Sequence, residues 1–389
     1  MKIRHLRRPL FLALACLLSL LVLTEATLRL SQSSLPLLLR LHIRAHPRFS
    51  SSAHPYIGHL NRAVGNTDPF GFRNEWPWPE APGILTLGDS VTFGNGVGDR
   101  EGWAAILARA FPEDGVVNLG LGASGPQQYL RVFETFGAGL GPKVVLIGLF
   151  ARNDFWDAAK FEDWLESRAG GNYLVWRDSG SPAHVSLSLR QPPERFLRSA
   201  AWRGQLVAGG TYLGNLLLQI SGRLGRHTSS AQDVYESQDG TQLELQSEDF
   251  LSATKRSRPG TAAFRHVLLT LQRIDSLARE NGAKAVVLLL PSKEEVYLPL
   301  LGETTPDPAA PLHSALEAVG IPSLDLQQDF RRRAVGGEVL FHGKDSQLPN
   351  ARGHALIAEL AIQYLRQHVE WFGLSRPNAV IDGQQALRH

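Results

Sequence analysis

Short, nearly unbroken apolar runs alternate along this chain with longer stretches in which apolar positions return every three or four residues. The runs cover residues 84–87, 116–119, 144–150, 284–290 and 321–326. Helical spacing lies between them, at 101–111, 126–136, 261–280 and 312–319. A strand that reads as a continuous apolar run is covered on both faces, the mark of a parallel sheet with helices on either side. The pattern predicts an α/β domain, a three-layer α/β/α sandwich around a parallel five-stranded sheet. A last helix is expected after Asn350, a good N-cap, with Leu356, Ile357, Leu360, Ala361, Tyr364 and Leu365 as its apolar stripe.

The rhythm breaks between residues 155 and 258. Gly170-Gly171, Pro192-Pro193 and Ser229-Ser230 punctuate this stretch, and one helical pattern lies at 212–224. It is too long for a bare connection and reads as an insertion, either a lid or a docking surface. Residues 31–82, with Pro36, Pro47, Pro55 and the Trp-Pro repeat from Trp76 to Pro79, form an irregular lead-in. The expected organisation is an N-terminal segment at 1–30, the lead-in at 31–82, the domain with its insertion at 83–370, and a frayed tail at 371–389.

The N-terminal segment has its own pattern. Lys2, Arg4, Arg7 and Arg8 precede an uncharged apolar stretch from Pro9 to Leu23. This predicts one transmembrane helix acting as an uncleaved signal anchor, with a cleaved signal peptide and a soluble apolar helix as the alternatives. The basic flank would stay in the cytoplasm and the rest of the chain would lie outside it, in the periplasm or at the cell surface. Charge then changes the picture. The sequence pI of about 9.1 suggests a nucleic-acid partner, but residues 1–50 hold eight Lys/Arg against Glu25 alone, leaving 32 Lys/Arg against 36 Asp/Glu. The body is mildly acidic, and no nucleic-acid partner is expected. Cys16, the one cysteine, falls inside the apolar run, which excludes disulfides and thiol chemistry from the body.

In a parallel α/β sheet ligands bind at the carboxyl ends of the strands. Ser90 follows the first run after Gly88-Asp89, where a nucleophile is useful. Gly120 follows the second, and its lack of a side chain lets a backbone amide approach a ligand. Asn153 follows the third and offers an amide donor. A serine attacking an ester carbonyl needs donors waiting for the oxyanion, and the Ser90 and Gly120 amides with the Asn153 side chain would supply them. It also needs a base, normally a histidine oriented by a carboxylate.

With these segments in place the chain resembles the SGNH/GDSL hydrolase family. GDSVTFGNGV is similar to the family's serine segment, NLGLGASGPQQ to its glycine segment and GLFARND to its asparagine segment. The resemblance covers about residues 83–154 and 260–366 and implies a flavodoxin-like sheet with serine esterase chemistry. Ser90 would be the nucleophile, Gly120 and Asn153 would complete the oxyanion hole, and Asp345 would orient the base. The fourth segment, DSQLPNARGH, departs from the family. Leu348, or Gln347 with a one-residue insertion, stands where the histidine belongs, and neither accepts a proton at neutral pH. His354 and the less favoured His342 are the substitutes in sequence.

Residues 291–297 leave the fourth run at the same edge and resemble a segment of exported SGNH-like proteins related to polysaccharide O-acetylation. They are either substrate-binding or a solvated helix start. Gly94, Gly96 and Gly98 lack the spacing of a nucleotide-binding loop, and the histidines lack metal-ligand spacing, so no cofactor or metal is expected. The function expected is that of an extracytoplasmic, membrane-anchored serine esterase or O-acyltransferase whose substrate is an acylated carbohydrate or small ester. The rivals are a pseudoenzyme that binds a glycan or protein partner without turnover, and a docking protein working through the insertion.

Overall fold

A computed structural model describes residues 4–30, 49–51, 57, 59–61, 67–166, 173, 213, 233–343 and 346–377. The chain divides into two compact units, one formed by Met1–Arg48 with Ser181–Ala231 and the other by Phe49–Gly180 with Gln232–His389. In the first unit, helix α1 runs over Arg4–Leu30. Among the described residues no helix is long and apolar enough to cross a membrane. The expected transmembrane helix is therefore not found there. Arg8 and Glu25 confine the uncharged run to residues 9–24, short of the roughly 20 residues that a hydrocarbon core needs. The helix expected at 212–224 lies, apart from Leu213, outside the described residues.

The second unit opens with a small antiparallel pair, β1 (Phe49–Ser51) and β2 (His59–Asn61). The central strands follow: β3 (Ile84–Gly88), β4 (Val116–Asn118) and β5 (Val144–Phe150). A hairpin, β6 (Asp233–Glu236) with β7 (Gln242–Leu245), belongs to the insertion. Strands β8 (Lys284–Leu290) and β9 (Ser323–Asp325) complete the sheet. Its order is β4-β3-β5-β8-β9 with every pairing parallel. Counted within the sheet this is 2-1-3-4-5, the flavodoxin-like doubly wound order, whose ligand crevice lies where the winding reverses, beside the first and third strands. The α/β class and the five-stranded parallel sheet expected from the sequence are what the chain forms.

The helices are α2 (Ser90–Phe93), α3 (Trp103–Ala110), α4 (Pro126–Val132), α5 (Ala151–Glu166) and α6 (Ser247–Thr254). Then come α7 (Ala262–Glu280), α8 (Lys293–Tyr297), α9 (Ala310–Ala318), α10 (Gln327–Val335), α11 (Ala351–Gln367) and α12 (Val369–Phe372). Alternating strand residues face two cores. Ile84, Val144, Leu146, Val286 and Leu288 pack with Trp103, Leu107, Ile357 and Leu365 on one side. Leu85, Leu87, Val145, Ile147 and Val287 pack with Tyr129, Phe155, Val267 and Ile274 on the other. Each large side chain fully buried here contributes about 1.5–3 kcal/mol, so the two cores hold the strand exits as a rigid edge.

Two boundaries differ from the sequence pattern in ways that matter for the site. The second helix pattern, expected at 126–136, ends as an α-helix at Val132 and continues as a π turn over Phe133–Gly137. At the other, β5 passes into α5 without a loop, so Asn153 sits in the first turn of a helix rather than on a free connection.

Candidate active site at the strand exits

The turn after β3 is built around Gly88. A Cβ there would lie 2.0 Å from Thr92 Oγ1 and 2.7 Å from the Gly148 carbonyl oxygen, so only glycine lets the chain turn this tightly out of the sheet. Asp89 then caps α2, its Oδ1 accepting from the Val91 N–H at 2.8 Å. The Ser90 hydroxyl donates to Asp89 Oδ2 at 3.4 Å. Ser90 is half-buried and Asp89 fully buried. The serine therefore lies between a buried carboxylate and the outside.

Asn153 joins the same carboxylate. Its Nδ2 donates to Asp89 Oδ2 at 3.1 Å and to Asp157 Oδ2 at 3.0 Å. Both amide hydrogens are thus committed to carboxylates, and the expected role of Asn153 as an oxyanion donor is not what this geometry provides. Asp154, next in the helix, accepts from the Tyr129 hydroxyl at 2.7 Å and the Phe150 N–H at 2.8 Å. Burial raises the Asp89 pKa, while hydrogen bonds from Val91, Asn153 and Ser90 pull it back. Burial, with the nearby Asp89 charge, raises Asp154 well above the usual carboxylate range. Tyr129 is raised well above its usual value by burial and by the charge of Asp154.

Gly120 is held close to the serine helix, since a Cβ at that position would come within 2.4 Å of the Phe93 backbone nitrogen. Its N–H donates to the Asn118 side-chain oxygen at 2.9 Å. Asn118 in turn donates to the Thr92 carbonyl at 3.0 Å. The Gly120 amide is thus bonded back to the end of β4, and the Asn118 side chain ties β4 to α2.

Among the described residues no histidine is hydrogen-bonded to Ser90. His354 is fully buried in α11, and its Nδ1 accepts from the Trp103 N–H at 3.3 Å. Burial, helped by the Arg73 charge, lowers its pKa to about 3. This is a neutral core histidine, not the expected base. His342, the less favoured substitute, is held by its backbone. Its N–H donates to the Leu348 carbonyl at 3.1 Å, and Phe341 and Pro349 form a bridge around it. Its ring is buried against Gly96, and burial lowers its pKa while the Gly96 backbone pulls it back. Leu348 packs against the first core. Asp345 lies outside the described residues.

The segment leaving β8 departs furthest from its sequence reading. Lys293, Glu294 and Glu295 are all fully buried. Lys293 Nζ donates to the carbonyls of Gly343 at 3.0 Å and Ser346 at 2.7 Å. Glu294 pairs with Arg152 at 2.5 Å and accepts from the Gln246 N–H at 2.9 Å. With its amide oriented by hydrogen bonding, Gln347 donates to both Glu294 oxygens, at 3.0 and 3.2 Å. Glu295 closes a capping box with Ser292, accepts from Gln327 Nε2 at 3.1 Å, and is raised by burial to about 7. These three charges join the asparagine segment, the insertion and the 342–347 loop. They are neither a solvated helix start nor, by these contacts, exposed to a substrate.

A cavity of about 480 Å³ adjoins the loop after Ser90, lined by Gly96, Glu101, Asp239, His342, Gly343 and Arg352 among others. Ser90 does not line it, so it is a neighbouring groove rather than the serine's own pocket. Among the described residues no group of three or more His, Cys, Asp or Glu is placed to hold a metal ion.

No protein-family model matches the chain, and no curated protein matches it. Solved structures similar to it include a member of the lipolytic protein G-D-S-L family from Veillonella parvula DSM 2008. That protein is 13% identical with a TM-score of 0.36, over 72% of this chain and 96% of that one. Another is a putative lipolytic protein of the G-D-S-L family from Desulfitobacterium hafniense DCB-2, 14% identical with a TM-score of 0.34, over 72% of this chain and 96% of that one. At such identity and score, neither neighbour says what this chain does.

Proposed function

We propose that the chain is a serine-centred esterase or acyl transferase of the SGNH type, in which Ser90 takes the acyl group. The observation that carries this reading is the placement of the Ser90 hydroxyl at the carboxyl edge of the sheet, beside the winding reversal, hydrogen-bonded at 3.4 Å to the buried Asp89. The serine, glycine and asparagine segments quoted above support the class of chemistry. The substrate proposed is an ester-linked acyl group on a glycan, and the site of action proposed is outside the cytoplasm with the N-terminal segment as anchor. The basic flank ahead of an apolar run supports that location.

A second reading has its own observation. His354 is pinned by Trp103 and Leu348 packs against an apolar core, so among the described residues neither position supplies the ordinary base. A protein that binds an acylated glycan or a protein partner without turnover fits that fact. Fluorophosphonate labelling of the full chain, with mass spectrometry to locate the adduct, separates the two readings. An adduct on Ser90 is the expected result. Folded protein that stays unlabelled would instead favour binding without turnover.

A further inference from the structure

We infer that Asp89 accepts the Ser90 proton, so that adjacent residues of one turn form a serine–carboxylate pair in place of serine–histidine. This rests on the reading of Ser90 as nucleophile. Among the described residues, Asp89 is the one side chain hydrogen-bonded to the Ser90 hydroxyl. The carboxylate cannot turn away, because the Val91 N–H holds Oδ1 and Asn153 Nδ2 holds Oδ2 on the side shared with Ser90. Gly88 fixes the turn itself, since no larger residue fits against Thr92 and Gly148. A carboxylate is ordinarily too weak a base for a serine hydroxyl, and burial works against that weakness by disfavouring its charged form. Around the pair, Asp157 accepts the second Asn153 amide hydrogen and Asp154 accepts from the Tyr129 hydroxyl.

The step balances without a co-reactant beyond ester and water. The Ser90 Oγ–H proton passes to Asp89 Oδ2 as Oγ bonds to the acyl carbon, and the carbonyl π pair moves onto its oxygen. Collapse of that oxyanion breaks the bond to the alkoxy group, which takes the proton from Asp89 and leaves as the alcohol. Water, or an acceptor hydroxyl, then attacks the acyl carbon and gives its proton to Asp89. The acyl–Oγ bond breaks, Oγ recovers the proton, and acid or transferred ester departs.

The test compares fluorophosphonate labelling of wild type and Asp89→Asn in the full chain. Asparagine keeps an oxygen to cap the Val91 N–H but is no base. Labelling of Ser90 slowed by about 10²–10⁴-fold, the usual weight of a positioned general base, is the expected outcome. Equal labelling of both proteins overturns the role of Asp89 and leaves the esterase reading standing. A wild type that never labels overturns both. If Asp89→Asn does not fold, His354→Asn and His342→Asn decide. Labelling retained in both supports the carboxylate, and labelling abolished in either folded variant makes that histidine the base.

Discussion

The Trp103 N–H donates to Nδ1 of His354 at 3.3 Å, joining the start of one helix to the first turn of another 251 residues later. A nitrogen that accepts a hydrogen bond carries no proton, so the bond selects the neutral imidazole with hydrogen on Nε2. His354 therefore cements the serine side of the sheet to the last helix.

That placement makes the fold acid-sensitive. The folded pKa of about 3 lies below the unfolded value near 6.5, so the unfolded chain binds the extra proton between those values. This contribution is complete above about pH 6.5 and is lost as pH falls toward 3, by about 3 kcal/mol over the first two units. His354→Asn, whose Oδ1 takes the place of Nδ1, should flatten urea-unfolding stability between pH 6.5 and 4.5. An unchanged slope would mean that the imidazole is protonated in the fold.

Glu295 acts with the opposite sign. Its carboxyl, raised to about 7 by burial, holds its proton in the fold over a range where the unfolded chain has released it. Its contribution is complete below about pH 4.3 and is lost as pH rises through 7, by up to about 3–4 kcal/mol. Glu295→Gln cannot ionise, so its stability relative to wild type should improve between pH 5 and pH 8. Parallel pH dependences for the two proteins would contradict this.

How far the sequence could be read follows from where each residue finds its partners. Strands β5 and β8 were legible to the residue because a central strand covered on both faces is an unbroken apolar run. Ser90 was legible because Gly88-Asp89 closes such a run. Asn153 was legible as following the third run, but not as lying in a helix, because the helix beginning at Ala151 has no capping signal before it. Its spacing of four residues from Asp157, one helical turn, was the clue available. Lys293, Glu294 and Glu295 read either as substrate-binding or as a solvated helix start, since three consecutive ionisable residues are usually exposed. Their burial depends on Gly343, Arg152 and Gln327, none of them near in sequence.

Arg152 and Glu294 should be strongly coupled. The pair is 2.5 Å apart with side chains 13% and 0% exposed, so removing either leaves a largely desolvated charge. Each single alanine variant should cost about 3 kcal/mol, and a double-mutant cycle should return a coupling of about 1–3 kcal/mol. A coupling near zero in urea unfolding would show that the two ions are separately solvated. Since Arg152 precedes Asn153, loss of the pair should also slow labelling of Ser90.

Lys293 supplies the strongest test of the buried charges as a framework. Its ammonium reaches the carbonyls of Gly343 and Ser346 and, at 3.4 Å, that of His342. It thus holds the loop in which this chain carries Gln347 and Leu348. Lys293→Met preserves the apolar stem but leaves those carbonyls without their donor, a loss of about 1–3 kcal/mol for each oxygen kept from water. The variant should unfold earlier in urea, and proteolysis should cut first within residues 342–348. If Lys293→Met is as stable as wild type and resists cleavage there, the ammonium does not hold the loop. The burial of Lys293 would then come from packing of its stem alone.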